Sequence, residues 1–419
     1  MNLLSIPTMV ESPFVIVKIG EYTFGNYTKI SSQDKYGSTL NVTYPNYMKS
    51  IEAVKVNGQV NTYTITMEYR IKAGDDPNML DKVFSSIADI GSDSRKITLS
   101  YGDWMSPSFI YKEETALITS VTSSVDYSGS CITYTIKCIS DAMPITSVIY
   151  DFPKRKAKPS DIIKEILYNK EYKLTDVFYG MVKQSDVMIK NLIASDDKVV
   201  EIPSRRDTNI LSYLNFLINN MVSIDDDINA NIRNYKYSLV IVDDVKGEMN
   251  GPYFKVVKVG IKTKVVNSLD TYEIDIGYPG DNFVTQFSLK NDQSWAMLYQ
   301  YSQEAEKENY IYRVGDDGKL YTESSPSIMR QLNFGRTTNV DKTWWTNMTQ
   351  FPVSATMIIK GLVRPSILMS KVKVNVYFYG RKHVSSGTYV INKQVDRIDA
   401  NGYKTTLNLL RLGEDYWYL

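Results

Sequence analysis

A single histidine and two cysteines in 419 residues remove most of the usual site chemistries at once. Any Ser-His-Asp or Cys-His arrangement has to use His383, and a zinc site built from several histidines is excluded. His383 sits in a polar loop after Arg381-Lys382, the setting of an ordinary surface residue. Cys131 and Cys138 lie seven positions apart on one predicted strand. That odd separation places them on opposite faces, so they do not bridge each other, and reduced thiols are the expectation. Charge of one sign is also missing: 48 Lys+Arg against 47 Asp+Glu leave no global basic field to draw in nucleic acid or a membrane surface. No apolar run approaches the length of a membrane span. The opening MNLLSIPTMVESPF has neither a basic n-region nor a long apolar h-region, so a Sec signal is not expected and the protein is expected to fold first in a cytoplasm. Neither a GxxxxGK[ST] phosphate loop nor a GxSxG elbow occurs.

What remains of site chemistry is thin. Glu113-Glu114, Asp196-Asp197 and Asp243-Asp244 are acidic doublets. Adjacent residues of a strand point to opposite faces, so such doublets are poor candidates for paired acid-base work. Asp225, Asp227 and Asn229 start a calcium-loop spacing. The spacing then breaks, with Ala230 in place of the turn glycine and Lys236 in place of the bidentate glutamate. Trp344-Trp345 invites a stacking role, but no basic groove accompanies it. The expectation is therefore a protein that is not an enzyme, with no catalytic, cofactor-binding or metal-ligating residue to assign and no cofactor.

What is present is β-pattern. Hydrophobic residues make up 43%, enough for a core in a chain long enough for two or three domains. Tyrosine is abundant, which fits the codon bias of an AT-rich genome as Asn, Ile and Lys are plentiful too. In 62–71, Tyr63, Ile65, Met67, Tyr69 and Ile71 share one face and Thr62, Thr64, Thr66, Glu68 and Arg70 the other, predicting a strand with one wet face. Asp76-Pro77 predicts a helix start, and Leu80, Val83, Phe84 and Ile87 its apolar stripe. The run DFPKRKAKP at 151–159 reads as a linker. Beyond it Ser160 and Asp207 are expected to cap two helices, with short strands around 198–202 between them. Strands return at 237–242, 253–259 and 271–276. A helix is predicted over 292–306, a hairpin over 310–321, and strands over 356–361 and 371–379.

Two distant stretches read as copies. TALITSVTSSVDYSGSCITYTIK at 115–137 and TYVINKQVDRIDANGYKTTLNLL at 388–410 align without a gap. Thr115 meets Thr388, Ile118 meets Ile391, Val125-Asp126 meets Ile398-Asp399, and Gly129 meets Gly402. Thr133, Tyr134 and Ile136 then meet Thr406, Leu407 and Leu409. Each copy is a strand, a polar turn and a second strand, and Asn401-Gly402 predicts a type I′ hairpin turn. Upstream, Tyr101-Gly102 and Tyr379-Gly380 stand before the two copies. The same β-unit at both ends of a chain predicts internal pseudo-symmetry.

The C-terminal third carries recognisable text. FPVSATMIIKG at 351–361 is followed by a strand ending in Tyr-Gly, then Ser386-Gly387-Thr388-Tyr389-Val390, Val395, Arg397-Ile398 and Gly402-Tyr403-Lys404-Thr405-Thr406-Leu407. This resembles the closing β-barrel of baseplate hub proteins of contractile-tailed phages and the related hub part of type VI secretion spikes. The resemblance implies a mainly β fold with an α+β insert: two tail-tube-like antiparallel β-barrels in one chain. The expected domains are 1–150, a first barrel with one helix; 151–235, the inserted α+β domain; and 236–419, a second barrel interrupted at about 291–350. It further implies a structural baseplate or tail hub, a homotrimer forming a pseudo-sixfold ring that joins the hexameric tail tube to the central spike. Its implied neighbours are the tail tube protein, the spike and other baseplate proteins, within a virion tail assembled in the host cytoplasm. DNA passage through the lumen needs no specific nucleic-acid site. The alternatives are a tail-associated peptidoglycan hydrolase and a cell-surface glycan-binding tail protein.

Overall fold

Alternation along the strands decides most of this architecture. The computed structural model describes residues 3–5, 13–25, 28–30, 41–43, 46–85, 95–103, 111–128, 130–169, 197–222, 235–243, 252–260, 271–277, 283–291, 310–314, 320–324, 353–361, 367–383 and 385–412. The first part of the chain forms β1 (Leu3–Ser5), β2 (Pro13–Ile19), β3 (Tyr22–Gly25), β4 (Thr28–Ile30), β5 (Asn41–Thr43), β6 (Met48–Val56), β7 (Thr62–Arg70), α1 (Met79–Ser85), β8 (Lys96–Asp103), β9 (Tyr111–Asp126) and β10 (Cys131–Ser140). The middle forms α2 (Pro144–Ser147), β11 (Ile149–Phe152), β12 (Arg155–Ala157), α3 (Pro159–Tyr168), β13 (Val200–Ile202), β14 (Arg205–Asn209), α4 (Ile210–Phe216) with a π turn at Leu217–Met221, β15 (Tyr235–Val242) and β16 (Tyr253–Gly260). The last part forms β17 (Thr271–Ile276), β18 (Val284–Asn291), β19 (Tyr310–Val314), β20 (Leu320–Ser324), β21 (Val353–Lys360), β22 (Lys371–Phe378), β23 (Arg381–Lys382), β24 (Gly387–Asp399) and β25 (Gly402–Arg411).

Fifteen of these strands hydrogen-bond into one sheet, antiparallel except where β17 runs parallel to β1 and β22. Within it, five strands recur. In the N-terminal part the spatial order is β8-β9-β10-β7-β6, and in the C-terminal part it is β22-β24-β25-β21-β18. Taken along the chain, β6, β7, β8, β9 and β10 correspond to β18, β21, β22, β24 and β25, so the two units share topology as well as order. Their irregularities correspond too. Between β9 and β10 the register passes from Ile118↔Cys138 to Ser120↔Lys137, skipping Thr119. Between β24 and β25 it passes from Ile391↔Leu409 to Lys393↔Asn408, skipping Asn392, the residue that the sequence alignment sets against Thr119. A second bulge skips Lys49 opposite β7 and Thr285 opposite β21. A bulge re-aims a strand and raises its twist, so two at matched positions give both units the same curl.

The hairpin turns correct the sequence alignment. Asp126 pairs with Cys131 across four intervening residues, whereas Asp399 pairs with Gly402 across two. After the turn the copies are therefore offset by two, and Ile136 occupies the place of Leu407 rather than of Leu409. A shift of two preserves the faces, which is why the gapless match still looked regular. The Tyr-Gly pairs do not correspond. Leu99 faces Glu114 and Val374 faces Gly387, so Tyr101 lies at the place of Val376. Nor is the second turn type I′: Gly402 has φ +100° while Ala400 and Asn401 keep negative φ, the pattern of a two-residue turn closed by a left-handed glycine. In both turns the aspartate caps itself, Asp126 Oδ1 accepting from Ser128 N at 3.0 Å and Asp399 Oδ1 from Asn401 N at 2.8 Å. Gly129 lies outside the described residues, and the positive φ there falls on Ser130.

Burial follows alternation into three cores. The N-terminal unit buries Val17, Tyr63, Ile65, Met67, Leu99, Tyr134 and Ile136 with Leu80 and Val83 of α1. The C-terminal unit buries Tyr272, Met357, Ile359, Val372, Val374, Ile391, Leu407 and Leu409. The middle segment buries Phe152, Ile162, Ile166, Tyr213, Leu214 and Leu217. The β15–β16 hairpin is two-sided. It gives Leu239, Ile241 and Phe254 to the middle core and Val240, Val242 and Val257 to the C-terminal one. Residues 3–5 join the C-terminal unit through β17. Each unit curls around its core, yet among the described residues hydrogen bonding closes neither into a ring of strands.

Both expected caps move. Lys158 is the N-cap of α3, Pro159 takes the first helical position, and Ser160 instead hydrogen-bonds the buried Asp197, which also accepts from Ser160 N at 3.1 Å. Asn209 rather than Asp207 caps α4, accepting from Ser212 N at 2.8 Å, while Asp207 adopts φ +50° inside β14. The predicted helix at 292–306, the acidic loop at 225–229 and Trp344-Trp345 lie outside the described residues; the predicted hairpin forms as β19–β20.

Candidate functional site

The densest polar chemistry lies where the two units meet. β6 of the N-terminal unit pairs antiparallel with the far half of β24, from Lys393↔Val56 to Ile398↔Ile51. On the inward face of this junction sit Lys55, Glu114 and Asp396, each 1% exposed. All three stand where alternation calls for an apolar side chain: Lys55 follows Ile51 and Ala53, Glu114 precedes Ala116 and Ile118, and Asp396 precedes Ile398. The Lys55 ammonium bonds Glu114 Oε1 and lies 3.9 Å from Asp396 Oδ2. Tyr101 OH donates to Glu114 Oε2 at 2.7 Å. Asp396 accepts from Thr405 Oγ1 at 2.7 Å, Gln394 Nε2 at 2.9 Å and Tyr403 OH at 3.2 Å. Gln394 Oε1 in turn accepts from Ile367 N at 3.1 Å.

Electrostatics makes this a lock. Burial pushes the Lys55 ammonium down, but the Glu114 and Asp396 carboxylates outweigh it and hold it above its ordinary value. The hydroxyls of Tyr101 and Tyr403 are pushed well up, first by burial and then by the neighbouring carboxylates, so both stay donors. Fully satisfied and out of water, the group fixes the register of one unit on the other and offers no surface to a substrate.

A second buried carboxylate ties in the middle segment. Asp243, just after β15, accepts from Asn61 Nδ2 at 2.8 Å, Tyr63 OH at 2.9 Å and Ser140 Oγ at 2.5 Å. Burial raises it to about 6, against the hydrogen bonds of Ser140, Asn61 and Tyr63. One member of each acidic doublet thus has a structural partner: Glu114 at the junction, Asp197 on Ser160, Asp243 here.

His383 Nδ1 lies 2.7 Å from Ser385 Oγ and accepts from Ser385 N at 3.2 Å, while its ring meets Phe378 edge-on. These are contacts within one turn. Both cysteines are free, Cys138 buried and Cys131 half-buried on the opposite face, and burial lifts the Cys138 thiol to about 12. Among the described residues no group of three His, Cys, Asp or Glu could hold a metal, and no helix is long and apolar enough to cross a membrane. A groove of about 500 Å³ opens between β2 and β6. Val15, Tyr47 and Ile51 line it, with the exposed Lys49–Glu68 and Arg70–Glu68 pairs at its rim. Ile398, Asp399 and Ala400 at the end of β24 close its other side, so it lies at the end of the junction between the two units.

No family model matches the chain, and no curated protein matches it in sequence. Solved structures do match, among them phage tail proteins and a type VI secretion component. A tail protein of Neisseria meningitidis aligns over 97% of this chain and 99% of its own length, with 9% identity and a TM-score of 0.48. The 43 kDa tail protein of prophage MuSo2 from Shewanella oneidensis aligns over 96% and 98%, with 9% identity and a TM-score of 0.46. A type VI secretion component of E. coli, described as similar to bacteriophage T4 tail proteins, aligns over 88% and 75%, with 8% identity and a TM-score of 0.41. At such identities the likeness is one of fold alone. Among the described residues the chain is mostly β, with one large and chiefly antiparallel sheet.

Proposed function

We propose that this chain is a structural hub of a phage-type tail, without turnover, acting as a homotrimer that presents six like units to a hexameric tail tube and joins it to a central spike. The observation that carries the reading is the duplication: two five-strand units of one topology, bulged at matched positions, in one chain. A chain with two like units turns threefold symmetry into near-sixfold symmetry, which is what a mate for a six-subunit ring requires. The resemblance of the 351–407 text to baseplate hubs agrees with it. In this reading 1–150 and 236–419 are two tube-like barrels closed by core packing, and 151–235 is an inserted domain. The chemistry agrees as well, since the strongest polar cluster is sealed between the units and positions them.

Sedimentation equilibrium on the purified chain tests the proposal. A trimer that caps purified tail tubes in electron micrographs is the expected result. A hexamer points to a tube protein, and a monomer that binds cell-surface glycan or cleaves peptidoglycan overturns the hub.

A further inference from the structure

Among the described residues, the junction inside the chain has a counterpart on its outside whose two strand edges are not paired with each other. We infer that the outer edge of β18 pairs antiparallel with residues 120–125 of β9 in a second copy of this chain, repeating between chains the β6–β24 junction found within one. The inference rests on the hub reading for the number of chains and on the strand edges for the contact itself.

The correspondence of the units supplies the geometry. β6 corresponds to β18, and the far half of β24 corresponds to the far half of β9. Inside the chain β6 and the far half of β24 are hydrogen-bonded, from Lys393↔Val56 to Ile398↔Ile51. Among the described residues β18 pairs only with β21, and residues 120–125 pair only with β10. Each unit thus keeps one half of the same joint, and the halves lie on different units. Such edges are complementary and head-to-tail, so they mate between copies rather than within one.

Burial marks the same positions. Ile398 is 5% exposed and Ile51 2%, because they face each other across the internal junction. Val125, the counterpart of Ile398, is 48% exposed. Phe287 and Leu289, the counterparts of Ile51 and Ala53, are only half-buried against the C-terminal core, although Ala53 is fully buried. Three apolar positions that are covered in the internal joint are left open in the external one. Transferring the internal register gives Val125↔Phe287, Ser124↔Ser288, Ser123↔Leu289 and Val121↔Asn291. The charged lock does not transfer, since Asp396 corresponds to Ser123 and Lys55 to Asn291. The internal joint is therefore pinned by buried charge, whereas the external one sets Val121, Val125, Phe287 and Leu289 on its inner face and the exposed Lys290 opposite Thr122 on its outer face.

Disulfide trapping on the full chain tests this, with Cys131→Ser as background. Ser124→Cys with Ser288→Cys places thiols directly opposite, within reach of a disulfide; Thr122→Cys with Ser288→Cys is off by two residues and beyond it. Under mild oxidation the in-register pair should move most of the protein to covalent oligomers ending at three chains, and the off-register pair should leave single chains on a denaturing gel. Val125→Asp should separately shift the native mass from trimer to monomer. Light scattering on the same samples separates the failures. A trimeric mass with no crosslink, or with equal crosslinking in both registers, overturns the strand pairing and leaves the hub standing. An in-register crosslink in an assembly that is not trimeric supports the pairing and overturns the hub stoichiometry. A monomer overturns both.

Discussion

Three side chains decide whether the two halves of this molecule hold their register. Lys55, Glu114 and Asp396 are sealed from water, and removing one partner of a buried ion pair leaves an uncompensated charge. Lys55→Met should therefore destabilise by about 3–5 kcal/mol in urea unfolding. Lys55→Met with Glu114→Gln should recover part of that loss, because the second change removes the stranded charge. Asp243 makes a prediction in pH. Its folded value of about 6 lies above the ordinary 3.8, so the folded chain holds that proton more tightly than the unfolded one. The associated stability is full below about pH 4 and is lost as pH rises through 6, a change of roughly 3 kcal/mol at 1.36 kcal/mol per unit. Asp243→Asn should flatten the difference in melting temperature between pH 4 and pH 7 relative to the parent; an unaltered profile would remove Asp243 from the account.

At the scale of elements, two glycines carry constraints of different kinds. Gly402 has φ +100° with open space where a Cβ would stand, so Gly402→Val costs backbone strain alone, about 1–3 kcal/mol. Through the turn it also threatens the register that carries Asp396 and Tyr403, and under the proposed assembly it should weaken the trimer as well; thermal unfolding beside light scattering reads both. Gly361 is instead a contact: a Cβ there would run into the Tyr403 ring, and Gly361 N donates to Tyr403 O at 2.8 Å. Gly361→Ala should displace that ring from Asp396 and cost about 1–3 kcal/mol by overpacking, measured by urea unfolding. Much at this scale was legible beforehand. The strict alternation of Tyr63, Ile65, Met67 and Tyr69 gave β7 and its buried face, and the paired hairpins gave the repeat. The two-residue slip after the turn was not legible, because period-two patterns match equally well at any even offset. Caps misled for a related reason: Ser160 and Asp207 have the right side chains, but tertiary partners and Asn209 took the roles. The junction did leave a trace, in charged residues at the inward positions Lys55, Glu114 and Asp396, whereas the attention of motif searching goes to histidines, doublets and loops.

For the molecule as a whole, the duplication joins fold and function. One unit bonded to its own copy by β6 and β24 leaves, among the described residues, the same two edges without a strand partner at the far ends, and under the proposed assembly these edges take further copies of the chain until the ring closes. Bulges at matched positions raise the twist of both units alike, so under the proposed assembly each junction would repeat the one before it. The middle segment has its own core and meets this repetition through the two-sided β15–β16 hairpin and through Asn215, whose Nδ2 donates to Gly58 O in the β6–β7 turn at 2.7 Å. The most direct measurement of the central claim is native mass spectrometry of the intact chain. From the chain mass of 47.9 kDa, the account predicts one closed species of three chains, about 144 kDa, that falls to single chains on Val125→Asp. A monomer at micromolar concentration, or a trimer indifferent to that substitution, would contradict it.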